Sequence, residues 1–375
     1  MRAARWLGNR GNSALKPVIF HCISRVVDRR FVFGERECEA FRMFMRMYEN
    51  FSGCRVLSYC VMSNHFHLLL EVPPMANDGL SDDSLLERLS ALYSEAFVAG
   101  VAAELLEART VGIAEIVQTV DTDRPTDPGE TVAARVAAIH ARFTYRMHDL
   151  SQFMKGLLIR FTRWFNRIHS RKGTLWEERF KSVIVESGMA ARTIAAYIDL
   201  NPMRAGMVKD PADYRWSSYG EAVGGGTKGN GKKAREGLVR AYFCDQRVGL
   251  EIEKWSEVSR LYRRLMGLSL GRKPGRAVTT GTSLGQTTMN TAEMLESAEN
   301  ETVLKDLGMA KMLHCRVRYF TDGVVIGSKE FVNEAFAGAR ERFGAKRKDG
   351  ARAMKGNGSG AKGMLWSLRD LRVGI

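Results

Sequence analysis

The stretch Cys60-Val61-Met62-Ser63-Asn64-His65-Phe66-His67-Leu68-Leu69-Leu70-Glu71-Val72 decides how the chain folds. It is apolar and free of glycine and proline until Pro73, so it reads as strand. Side chains alternate across a strand, so His65 and His67 share one face while Phe66 anchors the other in the core. Ser63-Asn64 suits a turn, which would divide the stretch into two strands. Two neighbouring imidazoles can hold a divalent metal. A strand with two histidines on a wet face gives the same pattern, and both readings stay open on these residues alone.

The flanks extend the strand reading. Lys16 to Val27 is β-branched and apolar and reads as another strand, and Arg55 to Ser63 as a third. Between them, Glu35 to Phe51 carries Phe41, Phe44, Met45 and Tyr48 at helical spacing. After Pro73, Ser84 to Arg109 and Thr131 to Met147 read as helices separated by an acidic loop, Asp121 to Glu130. Asp149 is placed to cap a long helix from Leu150 to His169. Lys181 to Glu186 is a short strand, and a helix from Ala190 to Leu200 stops at Asn201-Pro202.

The chain has 375 residues with 45% hydrophobic and 26% charged, the profile of a globular protein. No apolar run reaches membrane-span length, and the basic N-terminus has no apolar stretch of signal-peptide type. The six cysteines form no C-x-x-C pair, which fits thiols in a reducing cytoplasm. The formal net charge is +15, which points to a nucleic-acid partner and, with it, the nucleoid.

That charge is concentrated. Between Lys155 and Lys181 lie eight Lys or Arg against Glu177 and Glu178, interleaved with Phe161, Trp164, Phe165, Trp176 and Phe180. Cations neutralise phosphates and aromatic faces stack on unpaired bases. A helix with a solvated basic face and an aromatic core face fits as well.

Downstream, Tyr197 and Asn201 stand four apart on a helix and so share a face. A phenol can act as a nucleophile, and an amide oxygen can complete a metal sphere beside two imidazoles. Mixed nitrogen and oxygen ligands suit Mg²⁺ or Mn²⁺. Ile194 and Ile198 flank Tyr197, which fits a core tyrosine equally.

Taken together, Asn64-His65-Phe66-His67 and Tyr197-Ile-Asp-Leu-Asn201-Pro-Met-Arg-Ala-Gly resemble the single-tyrosine HUH transposases. Among these, the chain is most similar to the REP-associated tyrosine transposases of the insertion sequence 200-like superfamily. Phe20-His-Cys-Ile-Ser-Arg, Gly173-Thr-Leu-Trp176-Glu-Glu-Arg179-Phe180-Lys-Ser and Asp213-Tyr-Arg-Trp216-Ser-Ser-Tyr219 agree with that group. The resemblance covers about residues 17–222.

The resemblance implies an α+β fold: a ferredoxin-like antiparallel sheet flanked by helices, the histidine pair on a central strand. It implies cleavage and rejoining of single-stranded, hairpin-forming DNA through a 5′-phosphotyrosine. His65, His67 and Asn201 would hold Mg²⁺ or Mn²⁺ and Tyr197 would attack the scissile phosphate. Arg163, Arg179 and Lys181 are candidate DNA contacts, while Trp176 reads as packing. A homodimer is implied by the family only. The alternative is a catalytically silent, transposase-derived protein that binds hairpins. A metal-dependent hydrolase using water as nucleophile is a third reading.

The expected layout is a basic arm over residues 1–16 and a transposase domain over 17–222 with a helical insertion at about 74–148. The compact members lack that insertion. Gly220 to Gly237 holds seven glycines and several lysines and reads as flexible, so a linker is expected over 223–249. Beyond it, Leu250 to Leu268 reads as an amphipathic helix, Gly271 to Thr288 as loop and Ala298 to Met312 as helix. Arg316 to Ile326 reads as a hairpin turning at Asp322-Gly323, and Ser328 to Phe343 as a helix capped by Ser328. A small C-terminal region is thus expected over 250–344, with a disordered basic tail over 345–375.

Overall fold

In a computed structural model of the chain, the described residues are 16–118, 128–224, 229–243, 254–267, 313, 319–343, 345–353 and 365–368. The basic arm before Lys16, most of the acidic loop, the Gly271–Thr288 loop and the Ala298–Met312 helix lie outside them. The chain divides into two compact units. The first comprises Met1–Arg42, Arg55–Glu71 and Lys172–Ile375; the second comprises Met43–Cys54 and Val72–Arg171.

The first unit is built on one sheet. Strand β1 (Val18–Arg25) leads into helix α1 (Glu35–Ser52), then β2 (Arg55–Val61) and β3 (His65–Val72). The opening stretch is therefore a hairpin: it turns at Met62-Ser63-Asn64, where the Met62 amide donates to the His65 carbonyl at 2.8 Å. The chain returns to the sheet with β4 (Lys181–Val185). These four strands stand in the order β2-β3-β1-β4, with β2–β3 and β1–β4 antiparallel. That is the ferredoxin-like arrangement the resemblance implies.

The sheet does not stop there. Strands β5 (Val325–Gly327), β6 (Arg352–Ala353) and β7 (Trp366–Leu368) extend it to seven, in the order β2-β3-β1-β4-β5-β7-β6. Strand β5 runs parallel to β4, so the sheet is mixed rather than antiparallel. The physical reason is the β4 edge. A four-stranded sheet would leave its N–H and C=O groups unpaired, and the C-terminal segment covers them. The expected hairpin at Asp322-Gly323 is absent. Instead one helical turn (Tyr319–Asp322) leads into β5, and Ser328 caps the following helix (Lys329–Gly338) by accepting from the Phe331 amide. Residues 345–353, expected within the disordered tail, are described and include β6.

One face of the sheet carries Phe20 and Phe66. Phe66 meets Phe41 of α1 at 4.6 Å and Trp176 at 5.5 Å between ring centres, the packing role expected of Trp176. The opposite face carries Ile19, Leu69, Val183 and Val185 and is covered by the helix Met189–Asp199. Its Ala190, Ala191, Ala195 and Ala196 are fully buried, and such small side chains let a helix lie close to a sheet.

The glycine-rich stretch is largely helical. Two helices (Ser218–Gly224 and Gly229–Tyr242) occupy the described part of the expected linker, and a third (Trp255–Leu265) follows. A Cβ at Gly237 would stand 2.4 Å from the Val56 carbonyl oxygen, and one at Gly220 would stand 1.9 Å from the Tyr214 carbonyl oxygen. These glycines serve close backbone packing, not freedom.

Among its described residues, the second unit is built of helices joined by loops and turns. The expected helix Ser84–Arg109 is two helices (Asp82–Ser90 and Glu95–Gln118), the first capped by Ser81 and ending before Tyr93. A third (Pro128–Thr144) packs on the second, burying Leu85, Leu89, Val101, Leu105 and Phe143 in a small core. The long helix Leu150–Ile168 starts as expected, with the Asp149 carboxylate accepting from the Gln152 amide at 2.8 Å.

Candidate active site on the histidine face

Strand parity places His65 and His67 on one face of β3, and their ring centres lie 5.2 Å apart. Strand β1 brings a third imidazole. His21 is fully buried, and its Nε2 lies 2.9 Å from His67 Nδ1 with the two rings within 20° of parallel. The other nitrogen of His21, Nδ1, is 2.8 Å from the carbonyl oxygen of Phe320.

The protons in this chain can be placed. A carbonyl only accepts, so His21 Nδ1 carries hydrogen and donates to Phe320. Burial lowers the His21 pKa to about 4, so the ring is neutral near pH 7 and its Nε2 accepts. His67 Nδ1 must then donate, which leaves His67 Nε2 with a bare lone pair. Burial, and next the nearby His21, holds the His67 pKa well below its usual value, so this ring too is neutral.

His65 is arranged alike. Asn64 donates through Nδ2 to the Arg29 carbonyl, so its Oδ1 accepts from His65 Nδ1 at 2.7 Å. A neutral His65 therefore also presents Nε2. Partners on the rear nitrogen that fix tautomer and ring orientation are the usual support for metal-ligating histidines. Two imidazoles with nitrogens about 2.1 Å from one ion place ring centres roughly 5 Å apart. The pair fits a metal. Among the described residues no group of three or more His, Cys, Asp or Glu is placed to hold a metal ion together, so further ligands would be amide, water or substrate oxygens.

The helix Met189–Asp199 delivers Tyr197 to the same place. Its ring centre lies 6.2 Å from that of His67 and 6.5 Å from that of His21. Tyr197 is 3% exposed, and Phe320 packs edge-on against it at 4.8 Å. Arg204, in the short helix Asn201–Arg204, sets its guanidinium 4.0 Å from the centre of the Tyr197 ring. The same group donates to the Tyr197 carbonyl at 2.7 Å, to Asn201 Oδ1 at 2.8 Å and to the Leu313 carbonyl at 2.9 Å. Asn201 donates through Nδ2 to the Ile198 carbonyl at 3.1 Å, ending the preceding helix. Its Oδ1 keeps one lone pair beyond the arginine bond.

The other expected residues scatter. Lys181 is exposed and stands opposite Ile23 in the β1–β4 register, two positions from the His21–Val183 pair on the same sheet face. Arg179 is exposed just before β4. Arg163 belongs to the second unit. Three residues emerge that the sequence reading left without a role. They are His21, Arg204 and Arg25, the last of which acts electrostatically on His67 together with Arg204. All three lie within quoted stretches. The available signal was a histidine and an arginine on the inward parity of a buried strand, where polar groups need partners.

Comparison with known families agrees with the first of these stretches. Residues 14–77 match the family model described as "Transposase IS200 like". The matched segment is similar to IS200-like transposases over that length. It contains β1, the β2–β3 hairpin and all three histidines. Among solved structures, the chain is similar to one titled "Structure of the REP associates tyrosine transposase bound to a REP hairpin", at 12% identity and a TM-score of 0.30. The similarity covers 60% of this chain and 86% of that one. No curated protein matches the chain. Among the described residues, no helix is long and apolar enough to cross a membrane.

Proposed function

We propose that the chain cleaves and rejoins single-stranded, hairpin-forming DNA, with Tyr197 as nucleophile. The observation that carries this reading is the meeting of Tyr197 with the His65–His67 pair in a chain whose N-terminal segment is IS200-like. In the proposed reaction the Tyr197 oxygen bonds to phosphorus, the bond to the 3′ oxygen breaks, and a 5′-phosphotyrosine forms. Attack by a 3′-hydroxyl reverses the step. The ester is conserved, so rejoining needs no ATP.

His65 and His67 through Nε2, with Asn201 through Oδ1, would hold Mg²⁺ or Mn²⁺. When bound, such an ion polarises a phosphoryl oxygen and offsets transition-state charge. Arg204, beside the phenol ring, supplies positive charge where negative charge develops as Tyr197 attacks or leaves. His21 holds His67 in the tautomer whose outward nitrogen is bare. Arg25, Lys181 and Arg179 would contact flanking phosphates.

The test is direct. Incubation with a single-stranded hairpin substrate and Mg²⁺ or Mn²⁺ yields a covalent protein–DNA adduct that survives denaturation. An adduct that persists in Tyr197→Phe would remove Tyr197 from its role, and hydrolysis without adduct in that variant would favour water as nucleophile. The burial of Tyr197 favours a second reading, a silent hairpin-binding protein, because a phosphodiester must reach a phenol that is 3% exposed. Tight hairpin binding without any adduct would decide for it.

A further inference from the structure

The second unit contains a groove that the reaction above does not use. It encloses about 780 Å³ and is lined entirely by residues of that unit, from the C-terminal half of α1, the Leu92–Tyr93 break, the Tyr145–Arg146 turn and the helix Leu150–Ile168. Five cations line it: Arg146, Lys155, Arg160, Arg163 and Arg167. No carboxylate does, and among the described residues none of the five makes an ion pair.

The arrangement of these cations is regular. Lys155, Arg163 and Arg167 are exposed and lie in one row, four or eight residues apart. Four helical residues advance about 6 Å, comparable to the step between phosphates in a stretched strand. Deeper in, Arg160 and Arg146 are part-buried. The Arg160 guanidinium lies over Phe44 and Tyr48, and that of Arg146 over Phe51 and Tyr93. Arg160 Nη1 and Arg146 Nε are buried donors with no partner. Unsatisfied buried donors are rare and costly, and here they line a cavity rich in positive charge. Gly156 keeps the groove open beneath the helix, since a Cβ there would stand 2.3 Å from the Tyr48 ring. At the rim Tyr145 is 64% exposed, an aromatic face turned to solvent.

We infer that this groove binds an unpaired nucleic-acid strand, single-stranded DNA, with phosphates along the Lys155–Arg163–Arg167 row and a base stacked on Tyr145. Cations tracking a backbone beside aromatic platforms are the general solution for unpaired strands. A duplex offers its phosphates but has no free base face for Tyr145. An acidic peptide would satisfy the charge but not the stacking platform. The identity of the occupant as DNA rests on the functional reading above; the groove's preference for an unpaired strand does not.

The experiment uses the full chain carrying Tyr197→Phe, so that cleavage does not compete, and a short unstructured DNA oligonucleotide read by fluorescence anisotropy. Tyr145→Ala weakens binding about tenfold with an unchanged salt slope, since stacking is lost and charge is kept. The triple variant Lys155→Ala, Arg163→Ala, Arg167→Ala weakens binding and lowers the slope of log affinity against log salt by about 2, near 0.7 for each phosphate contact. A charge-matched control on the first unit, Lys209→Ala, Lys232→Ala, Lys233→Ala, leaves both nearly unchanged. A groove triple no weaker than the control, or a Tyr145→Ala chain that binds like its parent, overturns the inference. Displacement of the oligonucleotide by poly-glutamate at equal charge concentration overturns it too. Strand binding that depends on the groove, in a chain that never forms the covalent adduct, leaves this site standing and removes only the catalytic reading.

Discussion

The two units use the same residue types to opposite ends. On the histidine face His21 and His67 are buried, His65, Asn201 and Arg204 part-buried, and their partners are assigned one by one: Phe320 to His21, His21 to His67, Asn64 to His65, and Arg204 to Asn201. In the second unit the cations of the groove are exposed or part-buried, and two of their donors have no partner. Chemistry at one phosphate needs donors and lone pairs fixed before substrate arrives. Holding a flexible strand needs charge that can follow it, and fixed pairing would compete with the ligand. The difference is therefore open to attack from either side.

The largest effect falls on the ordered side. Tyr197→Phe is expected to abolish the covalent adduct outright, because it removes the attacking oxygen, while the weaker groove-dependent binding survives. Denaturing gels of the hairpin reaction measure the first and anisotropy the second. An equal loss of both would mean that the two regions do not divide the work as described.

The next tests the frame behind the site. Arg263 and Asp210 are a buried ion pair at 2.8 Å, with 7% and 1% of their side chains exposed. Arg263→Ala strands a buried carboxylate and is expected to cost about 3–5 kcal/mol, read by urea unfolding. A cost under about 1 kcal/mol would make the helix Trp255–Leu265 a loose appendage.

His21→Ala leaves His67 Nδ1 without its acceptor and frees the ring to take the wrong tautomer. Loss of such a supporting residue is expected to weaken metal affinity about 10–100-fold. Mn²⁺ titration followed by electron paramagnetic resonance reads this without any reaction. Adduct formation should recover at high Mn²⁺ in His21→Ala and not in Tyr197→Phe. Unchanged Mn²⁺ binding would reduce His21 to packing.

These tests also mark where the sequence was legible. Asp149 and Ser328 were readable as caps because capping is local, and the parity of His65, Phe66 and His67 follows from any strand. Gly220 and Gly237 misled because composition reports freedom, whereas the fold uses their missing Cβ atoms for close approach to the Tyr214 and Val56 carbonyls. The strand character of Val325 and Ile326 was legible as the second arm of the expected hairpin, but the pairing of β5 with β4 was out of reach, because the need to cover the β4 edge is a property of the assembled sheet. His21 stood in plain view, but its partner is 46 residues away and its carbonyl 299, and neither separation leaves a trace in spacing. The segment with no usable resemblance thus supplies Phe320 and Leu313, whose carbonyls orient the two most informative side chains of the site.

The smallest effect is the most pointed. Among the described residues, Lys155, Arg163 and Arg167 make no ion pair, and the like charges of Arg163 and Arg167 at four-residue spacing cost about 0.2–0.5 kcal/mol. Alanine is also the best helix former. The triple replacement is therefore expected to leave the melting temperature unchanged or raise it slightly while weakening strand binding. A gain in stability paired with a loss in binding marks a surface kept for a ligand. A clear loss of stability would instead assign these cations to the fold and erase the contrast between the two units.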